Sequence, residues 1–347
     1  MTDLHNERKL PILLIYDIDP AWTQAEQEET KRVSQRLGHA MRRQGHSVQF
    51  LPVSDPDLPS ILAAHDPRDV IVFNWCEAVP GIERSEAWVV ETLERLRFTY
   101  TGATPDVIKR SYDKPQVKRL LQSQGVRTPK WRLFRSSAES GWNCFPAIVK
   151  PACEHCSFGI DSGAVVCDPA ELNQRVTYVL DTFQQPAIVE DFVDGREFHV
   201  PIWGNDQVEM LPPVEIDFSA LDQLADRLCS YDAKFAPDSI AYRKIKSWAP
   251  ARLSPEEMMR LEAASKAAYQ TLDCRDYGRI DVRLRDGVFY VLDVNPNADL
   301  SFDASLALAA EKAGYCYGAL GSRVVDFALE RHPSKAGTPP VTAQDGR

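Results

Sequence analysis

What this chain lacks narrows it before anything it contains is read. It has no apolar run close to the roughly 18 residues that a membrane-spanning helix requires, and residues 1 to 9 are polar and charged where a secretory leader carries an apolar core. It has no block of basic residues, and a formal charge of −10 opposes a surface for nucleic acid. Cysteine is thinly spread, since eight in 347 residues do not make a disulfide scaffold. The one close pair, Cys153 and Cys156, has no second pair at similar spacing, and no His-x(3 to 5)-His completes a zinc site. A thioredoxin-like pair would open a helix, whereas this one follows Lys150-Pro151 and leads into Ser157-Phe158-Gly159. These absences together predict a cytoplasmic protein whose partners are neither membrane nor nucleic acid.

A chain of 347 residues exceeds one typical core, so two or three lobes are expected. The first hundred residues alternate strand and helix: PILLIYDI, then EETKRVSQRLGHAMRRQG with Gly45 as its stop, then HSVQFLPV and DVIVFNW. That order predicts a parallel lobe of nucleotide-fold type, with functional groups beyond the carboxyl ends of its strands. Asp17, Asn74 and Glu77 stand there, as substrate contacts or as ordinary polar loop groups. SYDKPQVKRLLQSQG reads as a helix capped by Asp113, with Lys114 in its first turn. A cation there opposes the helix dipole and calls for an anion nearby. The runs AIVKP and PAIVEDFV are strands flanking the Cys153–Cys156 loop, and SPEEMMRLEAASKAAYQTL opens on a capping box of Ser254 and Glu257. One last helix is predicted near 305 to 331, followed by a tail of disordered composition.

GRIDVRLRDGVFYVLDVNPN is the most informative stretch. It predicts strands 279 to 284 and 288 to 295, joined by the three-residue loop Arg285-Asp286-Gly287 and pairing Leu284 with Val288. Arg279 then falls opposite Asp293 and Asp281 opposite Val291, with Arg279, Asp281, Asp293 and Asn295 on one face. Two carboxylates and an amide oxygen are hard donors that suit Mg²⁺. The alternative is a solvated strand face, against which Phe289 and Val291, read onto the same face, argue partial burial.

Taken in order, YTG, DK, AIVKP, E-x-C-S-x-G, IVEDFVDGREF, DAKF, GRIDV and LDVNPN resemble the ATP-grasp superfamily, and most closely the D-alanine:D-alanine ligases, from about residue 98 to about 315. The resemblance implies an α/β ATP-grasp fold: an N-terminal Rossmann-like lobe over 1–103, an ATP-grasp subdomain with a phosphate lid over 104–190, a C-terminal subdomain with the metal site over 191–332, and a tail over 333–347. It implies ATP and two Mg²⁺ ions. Lys114 and Lys150 would hold the α- and β-phosphates, and the loop from Glu154 through Ser157 to Gly159 would close over the β- and γ-phosphates. Glu190 would accept from the adenine amino group, the backbone of Asp191, Phe192 and Val193 would line the base pocket, and Glu197 would bind the ribose. Lys234 would reach the γ-phosphate, Asp281, Asp293 and Asn295 would carry the metals, and Arg279 would stabilise the moving phosphoryl group. The catalytic set so implied is Arg279, Lys234 and Ser157.

The substrate half departs from that pattern. Tyr16-Asp17 stands for a Gly-Gly, Asn74-Trp75-Cys76-Glu77 for a His-Gly, Cys156 for a serine, Phe235 for a tyrosine, and Ala298-Asp299-Leu300-Ser301 for a Pro-Gly-hydrophobic-Thr segment. Asp17, Asn74, Glu77, Cys156, Asp299 and Ser301 are therefore the candidate substrate residues. The reading is a carboxylate–amine ligase, working through an acyl phosphate, with small-molecule acid and amine substrates differing from D-alanine; a homodimer is compatible with it. A divergent D-alanine:D-alanine ligase and a nucleotide-binding protein without ligase activity stay open as alternatives.

Overall fold

The computed structural model describes residues 9–82, 84–139, 141–155, 157–230 and 238–335, so Cys156, Lys234 and Phe235 lie outside the described residues. The chain divides into two compact units, one built from Met1–Pro105 with Leu300–Arg347 and the other from Asp106–Asp299.

In the first unit, β1 (Ile12–Asp17), β2 (Val48–Val53) and β3 (Ile71–Trp75) form a parallel sheet in the order β2-β1-β3. Central β1 is buried on both faces, which is why its sequence is a continuous apolar run rather than an alternating one. Helix α1 (Gln24–Arg43) starts at a capping box of Thr23 and Glu26 and lies so close to β2 that a Cβ on Gly38 would stand 2.2 Å from Phe50 Cε1. The short α2 (Leu58–Leu62) and α3 (Glu86–Arg95) complete the crossovers.

Helix α4 (Pro105–Tyr112) follows, and the second unit continues with α5 (Lys114–Ser123), capped by Asp113, whose side chain accepts from Gln116 N. Strands β4 (Trp131–Phe134), β5 (Ala147–Pro151), β6 (Val165–Val166) and β7 (Ala187–Asp191) form an antiparallel sheet in the order β4-β7-β5-β6. Helix α6 (Pro169–Phe183) buries Leu172, Val176 and Val179 against it. A second antiparallel sheet contains β8 (Arg196–Trp203), β9 (Glu209–Met210), β10 (Val214–Asp217), β11 (Lys246–Trp248), β12 (Tyr277–Arg285) and β13 (Val288–Pro296), in the order β11-β10-β8-β12-β13 with β9 beside β8. The short α7 (Ile240–Lys244) precedes β11, and α8 (Pro255–Thr271) packs on β12 and β13 from the capping box expected at Ser254 and Glu257.

The β12–β13 hairpin differs from expectation in two compensating ways. Arg285 pairs with Val288, so the loop is the two-residue Asp286-Gly287, and both have positive φ, at 51° and 72°, as a type I′ turn requires. The register then shifts between Asp281 and Val282, where β13 carries Leu292 as an extra residue, and Asp281 comes to lie opposite Asp293 and Arg279 opposite Asn295. The four polar residues still share one face. Phe289 and Val291 do not: they pair with Leu284 and Val282 on the other face, and both are buried.

The single helix expected near 305 to 331 is two, α9 (Ser305–Lys312) and α10 (Tyr317–Leu329), because Gly314 adopts φ +91° and ends the first. These helices belong to the first unit rather than to a C-terminal lobe running on to 332. Gly318 and Gly321 allow α10 to approach α1 closely: a Cβ on Gly318 would stand 2.3 Å from Ala40 O, and one on Gly321 2.8 Å from Met41 Sδ.

Candidate active site

Two sheets of the second unit bring their charged residues together. Lys114, in the first turn of α5, reaches Asp293 on β13 at 2.9 Å. Burial works against both charges, and each is held by the other: the Lys114 pKa is raised and the Asp293 pKa stands far below the usual carboxylate range. The anion that a first-turn lysine demands is thus present within the protein.

One turn further along α5 is Lys118, which the sequence reading passed over although an i, i+4 spacing puts it on the same helix face as Lys114. It meets Glu190 Oε2 at 3.2 Å, donates to Thr128 Oγ1 at 2.8 Å, and contacts the carbonyl of the bulge residue Leu292 at 3.4 Å. Lys150, on β5, takes the other oxygen of Glu190 at 3.1 Å. Burial lifts a carboxyl, but two ammonium groups reverse that and hold Glu190 below its ordinary pKa, while burial pushes Lys118 down to about 8. Glu190 Oε1 keeps acceptor capacity, because a carboxylate oxygen has a second lone pair beyond the one turned to Lys150. Beside Glu190 the strand register places Ile148, part of an apolar cluster with Ala164, Val165, Phe192 and Leu228.

The polar face of the larger sheet is laid out by β8 and β12. Asp281 lies across from His199, and Arg283 across from Glu197. Arg279 donates to both oxygens of Asp281, at 2.6 and 2.9 Å, and the amide of Asn295 donates to Asp281 Oδ2 at 3.0 Å. Burial opposes the charge of Arg279 and Asp281 more than restores it, so its pKa is raised. Arg283 locks Glu197 at 2.6 Å, and also donates to Val193 O. Two carboxylates and an amide at one spot, balanced by Lys114 and Arg279, fit a hard divalent cation. Arg283 and His199 had a sequence signal, the period-two spacing from Asp281 and Glu197, that went unread.

The segment from Asp191 to Val193 is tied into the fold: Asp191 N donates to Lys130 O, Phe192 N to Pro146 O, and Arg285 grips the Asp191 carboxylate. The lid candidate is anchored at its root by Gln185, whose amide accepts from Cys153 N and donates to Glu154 Oε1, both at 2.7 Å. Ser157, at φ +61°, donates to Cys229 O at 2.7 Å. Gly159 has φ +74°, and a Cβ there would stand 2.7 Å from Pro151 Cγ. His155 sits 3.1 Å from Ser111 Oγ and edge-on to Tyr112, and burial together with Lys114 lowers it to about 4, so it is neutral.

Asp17, Asn74 and Glu77 meet in the first unit at the carboxyl ends of β1 and β3. Asp17 accepts from Glu77 N at 3.0 Å, and burial raises its pKa. Asn74 is 5 % exposed and accepts from Cys76 N, so it braces the turn. Ser301 also belongs to this unit, where Ala304 N donates to its carbonyl; Asp299 closes the second unit, exposed and within electrostatic reach of Arg279.

A charged cleft of this composition between two antiparallel sheets, joined to a unit with a parallel sheet, is the arrangement of an ATP-grasp ligase. Residues 120–326 match the family model described as "D-ala D-ala ligase C-terminus". The chain is 33% identical over 87% of its length to an uncharacterized protein, y4sG, of Sinorhizobium fredii, covering 88% of that protein. It is 30% identical, over 87% of its length and 96% of the relative's, to a D-alanine--D-alanine ligase of Aquifex aeolicus. The crystal structure of D-alanine--D-alanine ligase from Bacillus anthracis complexed with ATP superposes with a TM-score of 0.71 at 19% identity, covering 94% of this chain and 100% of that one, a likeness of fold. This chain belongs to the D-ala D-ala ligase C-terminus family, a family of ATP-grasp, C–N bond-forming ligases.

Proposed function

We propose that this protein is an ATP-dependent ligase that joins a carboxylate to an amine and whose acid differs from D-alanine. The observation that carries the reading is the convergence of Lys114, Lys150 and Arg279, each held by a carboxylate among Glu190, Asp281 and Asp293, as cations that a polyphosphate could take over. Glu190 Oε1, buried with remaining acceptor capacity beside an apolar cluster, suits an adenine amino group, and Glu197 suits the ribose. Asp281, Asp293 and Asn295 would hold two Mg²⁺ ions, which when bound neutralise phosphate charge. Lys114 and Arg279 are placed to move from their carboxylates to phosphate oxygens, so the protein's own cations exchange one anion for another at little reorganisation. A substrate carboxylate attacks the γ-phosphate, ADP leaves, and an amine displaces phosphate from the acyl phosphate to give the amide. Lys234 and the loop from Glu154 to Gly159 complete the phosphate contacts in this reading. Reduced cysteines and small-molecule substrates make the cytoplasm its expected place.

Asp299 favours an acid with a cationic or hydrogen-bond-donating group, because its charge acts on the ground that a second bare carboxylate would occupy, next to Arg279. The names of the relatives at about 30% identity favour D-alanine as the second reading. Phosphate release with ATP and Mg²⁺, across amino acids and related carboxylates with D-alanine among them, separates the two. Turnover of about 1 to 1,000 per second on another acid supports the proposal. D-alanine exceeding every other acid overturns the substrate assignment, and no carboxylate-dependent release at all overturns the ligase.

A further inference from the structure

We propose that Glu197, His199 and Cys229 form a binding site for a borderline-soft divalent cation of the zinc class, adjoining the all-oxygen set of Asp281, Asp293 and Asn295, whose Asp281 Oδ1 lies 3.9 Å from His199 Nε2. Glu197 and His199 are two apart on β8 and leave the sheet on one face. Cys229 reaches them from the segment after β10. Cys229 Sγ lies 3.2 Å from Glu197 Oε1 and 3.9 Å from His199 Nε2, and Nε2 lies 3.7 Å from Oε1. Around a tetrahedral zinc, bonds of about 2.0 to 2.3 Å set neighbouring donors roughly 3.3 to 3.7 Å apart. The triangle is already close to the size of one face of that tetrahedron, all three ligand atoms lying within 4.8 Å of one another.

The donor set discriminates between cations. A thiolate, an imidazole and a carboxylate suit Zn²⁺ and its cobalt analogue, whereas Mg²⁺ prefers oxygen alone. The carboxylate is oriented from behind: Arg283 grips Oε2 at 2.6 Å and leaves Oε1 turned to the thiol and the imidazole. The Arg279 guanidinium is close enough to interact electrostatically with Cys229, which puts a cation beside the sulfur. Ser157 donates to the Cys229 carbonyl, which fixes the backbone that delivers the sulfur. A thiolate and a carboxylate together neutralise one divalent ion, so the site adds no net charge to the pocket once filled.

Occupancy has a consequence that rests on the proposed nucleotide reading: Glu197 cannot serve a cation and a ribose at once, so metal and nucleotide compete. The test titrates the reduced full-length chain with Co²⁺ in the absence of Mg²⁺. One equivalent is expected to give a thiolate-to-cobalt charge-transfer band with tetrahedral d–d bands, and Zn²⁺ is expected to displace it. Cys229→Ser should abolish the charge-transfer band, His199→Gln should weaken Co²⁺ binding by at least about tenfold, and Cys153→Ser should change neither. No charge-transfer band in the wild-type chain overturns the site, as does a band that survives Cys229→Ser in a protein whose circular dichroism is native. Should Cys229→Ser fail to fold, unaltered Co²⁺ affinity in His199→Gln overturns it instead. None of these readings needs turnover, so a failed ligase screen leaves them standing, and a cobalt band indifferent to saturating ADP overturns only the role of Glu197 toward the nucleoside.

Discussion

Lys118 and Glu190 are joined at 3.2 Å with side chains only 2% and 1% exposed, an ion pair sealed from water on a helix and a strand far apart in sequence. Removing one partner of such a pair leaves an uncompensated buried charge, which typically costs about 3 to 5 kcal/mol. Lys150 stays on Glu190, so Lys118→Met should fall at or below the low end of that range. Guanidinium unfolding measures it. A change within about 0.5 kcal/mol, the scale of an ordinary surface substitution, would mean that Lys150 alone balances the carboxylate.

Asp293→Asn removes one of the two carboxylates offered to a cation and also the counter-charge of Lys114. Several kcal/mol of transition-state charge stabilisation correspond to a loss of at least about 100-fold in turnover. The same variant should be less stable, since Lys114 is buried and would lose its partner. Turnover and thermal unfolding measured on one preparation separate the two effects, and wild-type turnover from a folded variant would remove Asp293 from the site.

His155 binds its proton at about pH 4 in the folded chain, against an ordinary value of 6.5. Between those values the unfolded chain holds the extra proton, so this histidine makes stability rise with pH from about 4 to 6.5 and contributes no slope above. His155→Gln should therefore flatten the change in thermal midpoint between pH 4.5 and pH 7.5. Equal slopes in variant and wild type would show that the imidazole is solvated rather than enclosed beside Lys114.

Gly318→Ala tests the contact of α10 with α1. In an exposed helix the change to alanine stabilises by about 1 kcal/mol. Here the new methyl carbon would stand 2.3 Å from Ala40 O, and overpacking of this kind costs roughly 1 to 3 kcal/mol. A net loss in chemical unfolding is expected, and a gain would show that the helices can separate without cost.

Much of this was legible in the sequence, and the failures have physical causes. The first sheet, α1, α5 with its Asp113 cap and α8 with its capping box follow from apolar periodicity and local hydrogen bonding, which act within a few residues. The convergence of Asp281, Asp293 and Asn295 was read correctly although the hairpin register was not. A turn one residue shorter than expected and a bulge at Leu292 shift the pairing without changing which polar residues share a face. Lys118 was passed over because a lysine in an amphipathic helix looks solvated until its partner is known, and that partner lies 72 residues away in sequence. Cys229 was invisible for the same reason, since no spacing rule ties a cysteine to a histidine 30 residues earlier, whereas His199 shares a strand face with Glu197 by its period-two spacing. Gly314 could have been found, as a glycine within the last helical pattern is a stop signal.

The bulge lets β13 send residues at four alternate positions, 289, 291, 293 and 295, to two different faces. Leu292 is the residue at which the strand changes phase: upstream, Phe289 and Val291 face α8, and downstream, Asp293 and Asn295 face the charged cleft. Its carbonyl also meets Lys118, and the preceding Val291 N is bound to Arg127 O, so the phase change is fastened from outside the sheet. A substitution at 292 keeps that step. Deleting the residue would make Val291 and Asp293 consecutive, and plain alternation would then keep the phenylalanine and valine on the apolar face and the aspartate and asparagine on the charged one, with every pairing of the hairpin regular. A single-codon deletion at this point is therefore expected to leave the sheet native and to cost only the carbonyl that meets Lys118, which circular dichroism and thermal unfolding would check.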